Sequence, residues 1–246
     1  MPPDAPAPDP DAQRDQQDRL HDLLRDATSR LLGATIAVAD EDWQAPSRLP
    51  GWSRGHLATH LARQADALRR LVDGALAGRR AEMYPAPGQR DDEIEAGAGR
   101  SGLELQIDLD TSAGLLADAF EALQEAGRWD EVVELRGGLR APARLLPLAR
   151  LLEVAVHHVD LGLGREMADL DDATADWLLE LCGFRLRERD EFPRLELVSP
   201  TSTLVVGSSG ATRTVRGRSA LLLGWLTGRT DGADLEGVDG LRLPAF

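Results

Sequence analysis

The chain predicts an all-α bundle of four helices followed by a small α+β domain, and three observations predict it. Up to about Leu161 the apolar residues recur at helical spacing. After Asp171 several short segments switch to strict apolar–polar alternation, the period of a strand. Between the helical runs lies a Gly-, Pro- and charge-rich stretch at 78–110. Residues 1–13 read as a disordered tail, 14–168 as the helical bundle and 169–246 as the small α+β domain.

Each element follows from local chemistry. The Pro/Ala/Asp-rich first 13 residues offer little to bury. From about Gln16 to about Asp40, Leu20, Leu23, Leu24, Ala27 and Leu31 form one helical stripe, and residues 44–52 form a loop. Ser53 is placed to cap a second helix carrying His56, Leu57, His60, Leu61, Ala65 and Leu68. Residues 78–110, rich in Gly, Pro and charge, predict a long irregular segment. Thr111 or Ser112 then caps a third helix with Leu115, Leu116, Ala119, Phe120 and Leu123 inside and Gly127 as its stop. Residues 131–141 around Gly137-Gly138 predict a short hairpin. Pro142 opens a fourth helix reaching about Leu161, with Pro147 expected to disturb its first turns. A helix through Trp177, Leu178, Leu181 and Phe184 precedes strands at 195–198, 203–206 and 212–215. A last helix runs from about Gly217 and is closed by Gly228.

Composition narrows the function. The 246 residues carry a net charge of −14, which repels phosphate backbones and anionic lipid, so nucleic acid and membranes are poor partners. An anionic substrate would need local arginines to overrule that field. Cys182 is the single cysteine, which excludes an intramolecular disulfide and a cysteine-based zinc site. The amino end has no signal-peptide pattern and no apolar run reaches membrane-spanning length, so a cytoplasmic protein is expected.

Four of the five histidines fall in two clusters, His56/His60 and His157/His158, the latter behind Glu153. His56 and His60 are four apart, as are Glu153 and His157, so on helices each pair projects from one face. Two His and one carboxylate with an open position make a catalytic zinc arrangement, and facing helices of a bundle can supply it. Spacing favours Glu153/His157 over His158, which lies about 100° further round the helix. It leaves open whether His56 or His60 completes the set. Ser53 is explained as a cap, Cys182 lies on an apolar helix, and the Gly-rich stretches lack a phosphate loop's context.

Leu49-Pro50-Gly51-Trp52-Ser53-Arg54-Gly55-His56-Leu57-Ala58-Thr59-His60 and Glu153-Val-Ala-Val-His157-His-Val-Asp160-Leu-Gly resemble the mycothiol-dependent maleylpyruvate isomerases. These belong to the DinB-like four-helix metalloproteins. Met83-Tyr84, Arg90, Glu93-Ile94 and Leu226-Thr-Gly-Arg229 extend the resemblance to about residues 16–232. It implies a DinB-like bundle with a small α+β C-terminal domain, commonly monomeric. It also implies zinc, or another divalent metal, held by His60, Glu153 and His157, with mycothiol as the thiol cofactor. Arg229 matches the C-terminal arginine needed for activity, and Arg90 a position that binds substrate or thiol. From position alone, Arg229 is equally a cation answering a helix dipole, and Arg90 a solvated loop charge.

The implied reaction is thiol-assisted conversion of maleylpyruvate to fumarylpyruvate, the thiolate adding to the double bond and leaving after rotation. Two readings compete: a thiol S-transferase acting on another electrophile, and a non-catalytic DinB-like metal-binding protein. The isomerases usually carry Arg before the metal Glu and an aromatic residue two after it, where this chain has Leu152 and Ala155, and His158 stands where a small residue is common. These departures bear on the substrate more than on the metal.

Overall fold

The computed structural model describes residues 10–187 and 189–244. Four long helices form the bundle: α1 (Pro10–Thr35), α3 (Arg54–Leu76), α5 (Gly102–Glu125) and α6 (Leu146–Asp160), with the single turn α2 (Asp40–Trp43) and the short α4 (Gln89–Ala98) between them. The chain continues through α7 (Asp172–Leu186), a three-stranded sheet and α8 (Ser219–Leu226), so the predicted fold class is the observed one.

Several boundaries differ from the sequence reading. Residues 1–9 of the expected tail lie outside the described residues, but 10–13 are helical. Proline is accepted in a first helical turn, and the polar residues that follow carry no apolar signal for periodicity to detect. The helix also ends sooner, at Thr35, whose hydroxyl bonds back to the carbonyls of Leu31 and Leu32 at 3.1 and 2.9 Å. α3 begins where expected. Ser53 accepts the backbone N–H of His56, and His56 Nδ1 accepts that of Ser53 at 3.2 Å, a reciprocal cap.

The largest correction is the stretch 78–110, which contains α4 and the start of α5 rather than one irregular loop. Ser101 and Glu104 form a capping box, so the cap of α5 lies ten residues before Thr111, which with Ser112 lies inside the helix. Leu105, Leu109, Leu116, Phe120 and Leu123 face the core, whereas Leu115 is 45% exposed. Glycines in this region mark close packing rather than disorder. A side chain at Gly102 would meet Asp40 Oδ1 at 2.6 Å and the Trp43 ring at 2.7 Å.

β1 (Val132–Glu134) and β2 (Arg140–Pro142) form the short antiparallel hairpin, with Gly137 and Gly138 at φ +82° and +83° turning its tip. Pro142 therefore ends a strand instead of opening a helix. α6 begins after a 3-10 turn, and Pro147 sits in its first turn, where no hydrogen bond is lost and no disturbance follows. In the C-terminal sheet β3 (Pro193–Val198) is central, antiparallel to β4 (Thr203–Val206) and parallel to β5 (Ser209–Arg216).

One apolar cluster joins both halves of the chain. Leu20 of α1 and Leu148, Leu152 and Val156 of α6 pack with Leu178, Cys182, Leu195, Val215 and Leu222. This seats the C-terminal elements on α6, beside its carboxyl end. A second cluster lies between α3 and α5, which pack against each other along much of their length. No helix among the described residues is long and apolar enough to cross a membrane.

The junction of α3 and α4 tolerates no added volume. A Cβ at Gly55 would fall on the carbonyl oxygen of Ala98, which also accepts a bond from Gln44 Nε2 at 3.2 Å. Gly55→Ala is expected to lower the unfolding free energy by about 1–3 kcal/mol in urea titrations. A wild-type midpoint would show that the end of α4 yields freely.

Candidate metal centre

Two helices bring the centre together. His60 projects from α3, and Glu153 and His157, one turn apart on α6, face it. Glu153 Oε2 lies 3.0 Å from His60 Nε2 and 3.2 Å from His157 Nε2, and the two Nε2 atoms are 3.2 Å apart. The three side chains are 6, 26 and 13% exposed for His60, Glu153 and His157.

The helix register is held one turn earlier. Arg150 of α6 is buried, and its Nη1 donates to the Leu61 carbonyl and to Gln64 Oε1 of α3, both at 2.7 Å. Burial pushes its pKa down to about 10, still charged at neutral pH.

The network assigns the protons. Asp160 Oδ2 lies 2.8 Å from His157 Nδ1. A carboxylate held ionised can only accept, so Nδ1 carries hydrogen and the Nε2 lone pair faces Glu153 and His60 when the ring is neutral. Burial would raise the Glu153 pKa, but hydrogen bonds from His157, when its ring is protonated, and from His60 hold it well below the usual carboxylate range. Burial lowers the His60 pKa. Burial acts the same way on His157, but bonds to Asp160 and Glu153 outweigh it and raise the value. Two imidazole nitrogens 3.2 Å apart must share either one hydrogen or a cation. Two such nitrogens and a carboxylate oxygen are a donor set that fits a divalent cation, zinc included.

A cavity of about 270 Å³ opens over the three donors. Its lining includes Tyr84 and four arginines, Arg90, Arg136, Arg185 and Arg229. In a chain of net charge −14 that local excess of cation is the feature an anionic ligand requires. Arg90, on α4, lies over the Trp52 ring at 5.6 Å and reaches within 3.5 Å of His60 Nδ1. Arg229 follows α8 in a turn opened by Gly228 at φ +74°. Its Nε and Nη2 meet the two carboxylate oxygens of Asp160 at 3.2 and 2.7 Å, and Nη1 donates to the Thr227 carbonyl at 2.6 Å.

The five residues singled out by sequence, His60, Glu153, His157, Arg90 and Arg229, thus line one cavity. The two other clustered histidines do not. His56 completes the α3 cap, with Ser53 Oγ 2.7 Å from its Nδ1, and stacks on Trp52. His158 is buried further round α6, where it lines a separate small cavity with Leu23, Ala27 and Thr174. Cys182 is fully buried, and burial pushes its thiol up to about 12, which makes it a poor nucleophile. Arg136, Arg185 and Asp160 are not singled out by sequence as site residues, although the place of Asp160 three residues after His157 puts both on one helix face.

A protein-family model described as "Mycothiol maleylpyruvate isomerase N-terminal domain" matches residues 24–162, a span that holds all three donors. Two solved structures are similar over nearly the whole chain, "Crystal structure of the mycothiol-dependent maleylpyruvate isomerase" and that of a mutant of it. Each has a TM-score of 0.83 and 24% identity, covering 94% of this chain and 97% of the other. At that identity the likeness shows a shared fold. No curated protein gives a significant match.

The environment of His158 has a consequence for acid stability. Burial, with smaller contributions from Arg165 and Arg30, pushes its pKa down to about 4 from 6.5. The unfolded chain therefore takes up a proton between these values that the folded chain refuses, so this contribution is complete above pH 6.5 and is lost as pH falls towards 4. Denaturant unfolding at pH 7 and 4.5 should show a larger acid loss for wild type than for His158→Gln. Equal losses would mean that His158 charges without cost in the folded state.

Proposed function

The chain belongs to the mycothiol maleylpyruvate isomerase family, and from that premise we propose that it is a thiol-dependent, divalent-metal cis–trans isomerase converting maleylpyruvate to fumarylpyruvate. The observation that carries this reading is the convergence of His60, Glu153 and His157 beneath a cavity walled by arginines. In this proposal residues 14–168 form the metal-binding bundle, and 169–246 form a small domain that contributes Arg229.

His60, Glu153 and His157 would hold the cation, zinc by the donor set, and mycothiol would be the thiol. Together these would supply a cation-acidified thiolate able to add to, and leave, an activated double bond. The chain's own residues do the rest. Arg229 uses three of its five N–H groups on Asp160 and Thr227, leaving one on Nη1 and one on Nη2 for a substrate oxygen. Its fork suits a carboxylate or the negative charge that develops on a conjugated carbonyl. Arg90, braced on Trp52 and paired through Nη1 with Asp91 at 2.6 Å, places a second guanidinium close to His60. His60 is buried and Glu153 and His157 are only partly exposed, which limits water around the donors.

One observation favours a second reading, a thiol S-transferase. Leu152 lines the cavity immediately beside Glu153, so this chain presents an apolar wall where the isomerases usually carry arginine. The two activities share the addition step and part in whether the thiol leaves.

Metal-loaded protein mixed with mycothiol and maleylpyruvate is expected to yield the trans isomer, followed by proton NMR. A stable thiol adduct of another electrophile without fumarylpyruvate would replace isomerase with transferase. Arg229→Ala should lower kcat/KM by about 10²–10³-fold with metal still bound. His60→Ala should lose both metal and turnover. Undiminished turnover in Arg229→Ala would remove that residue from the chemistry.

A further inference from the structure

We infer that Asp160 is a positioning residue that couples the metal ligand His157 to the C-terminal Arg229, so that metal affinity and anion recognition share one buried carboxylate. The inference rests on the proposed metal centre and adds to it a residue that touches neither metal nor substrate.

The geometry is specific. Asp160 closes α6 and is 1% exposed, yet it has no lack of partners. Oδ2 lies 2.8 Å from His157 Nδ1 and 2.7 Å from Arg229 Nη2, and Oδ1 lies 3.2 Å from Arg229 Nε. Because the carboxylate accepts from both sides, it sets two things at once. On the His157 side it keeps hydrogen on Nδ1 and aims the bare Nε2 at the other donors, the role that outer carboxylates play at histidine–metal sites. On the other side it occupies one edge of the guanidinium, which fixes the plane of Arg229 and leaves the unused Nη hydrogens for a ligand.

The carboxylate also stands on a fixed base. The Asp160 carbonyl accepts the Arg48 N–H at 2.8 Å, and the next carbonyl, of Leu161, accepts Arg54 Nε at 2.8 Å. Arg48 lies in the segment leading into α3 and Arg54 is the first residue of that helix, which carries His60. The end of α6 is thereby tied to the other ligand-bearing helix. A movement of Asp160 would therefore be felt at His157 and at Arg229 together.

This arrangement separates two variants that a purely catalytic account of Arg229 would not distinguish. In Asp160→Asn, which keeps the volume, competition with a chromophoric chelator for zinc should show about 10–100-fold weaker binding. The KM for the anionic substrate should rise in the same variant, because Arg229 loses its anchor. In Arg229→Ala, zinc affinity should not weaken, since the bond between Asp160 and His157 survives. Wild-type zinc affinity in folded Asp160→Asn would overturn the inference, whereas a wild-type protein that binds no zinc would overturn the metal centre itself. Should Asp160→Asn fail to fold, nitrogen-15 NMR of the metal-free wild type at a pH where His157 is neutral gives an independent answer. Hydrogen on Nδ1 with bare Nε2 is expected, and the reverse tautomer would sink the proposal.

Discussion

The centre depends on the register between α3 and α6. Glu153 and His157 are local neighbours on one helix, but His60 lies 93 residues before Glu153 and reaches it only because the helices meet at a fixed height. Arg150 sets that height from within the interface, donating to a backbone carbonyl and a side-chain amide of α3 one turn before the donors. A buried guanidinium is costly to desolvate, and removing one of its acceptors would leave it unsatisfied. Sliding the helices past each other is therefore penalised in a way that apolar packing alone would not enforce.

Electrostatics extends the same logic outward. The chain is strongly acidic, yet the cavity gathers four guanidiniums around a small number of carboxylates that already have partners. Glu153 serves the two histidines, and Asp160 serves His157 and Arg229. Arg90 and Arg229 are paired too, with Asp91 and Asp160, yet the cavity lining holds four arginines against the single carboxylate of Glu153. The surrounding negative field would then act against phosphate-rich macromolecules and leave a small anion to be recognised locally.

Much of the architecture is legible in the sequence, because helix and strand periods are properties of the backbone. The α3 cap, the Gly137-Gly138 hairpin, the three late strands and the Gly228 stop are all local signals. The start of α5 is a failure of the same method. Glycines at 97, 99 and 102 read as loop, while in the structure Gly97 gives room to Thr59 and Gly102 to Trp43. A glycine selected for close approach and a glycine selected for a turn look alike in one sequence. Pro147 misleads similarly, since its effect depends on its distance from a helix start that is not visible.

The sequence by itself determined which residues could be ligands: helical spacing puts Glu153 and His157 on one face and turns His158 about 100° away. It left His56 and His60 level until family likeness separated them. Only the tertiary structure brought His60 to that face, and showed that His56 caps a helix instead. Only it revealed Asp160 between His157 and an arginine 69 residues further on. The reason is one of range. Backbone geometry dictates what lies within a turn of a residue, whereas contacts between distant segments follow from how whole helices pack, and no short window of sequence contains that information.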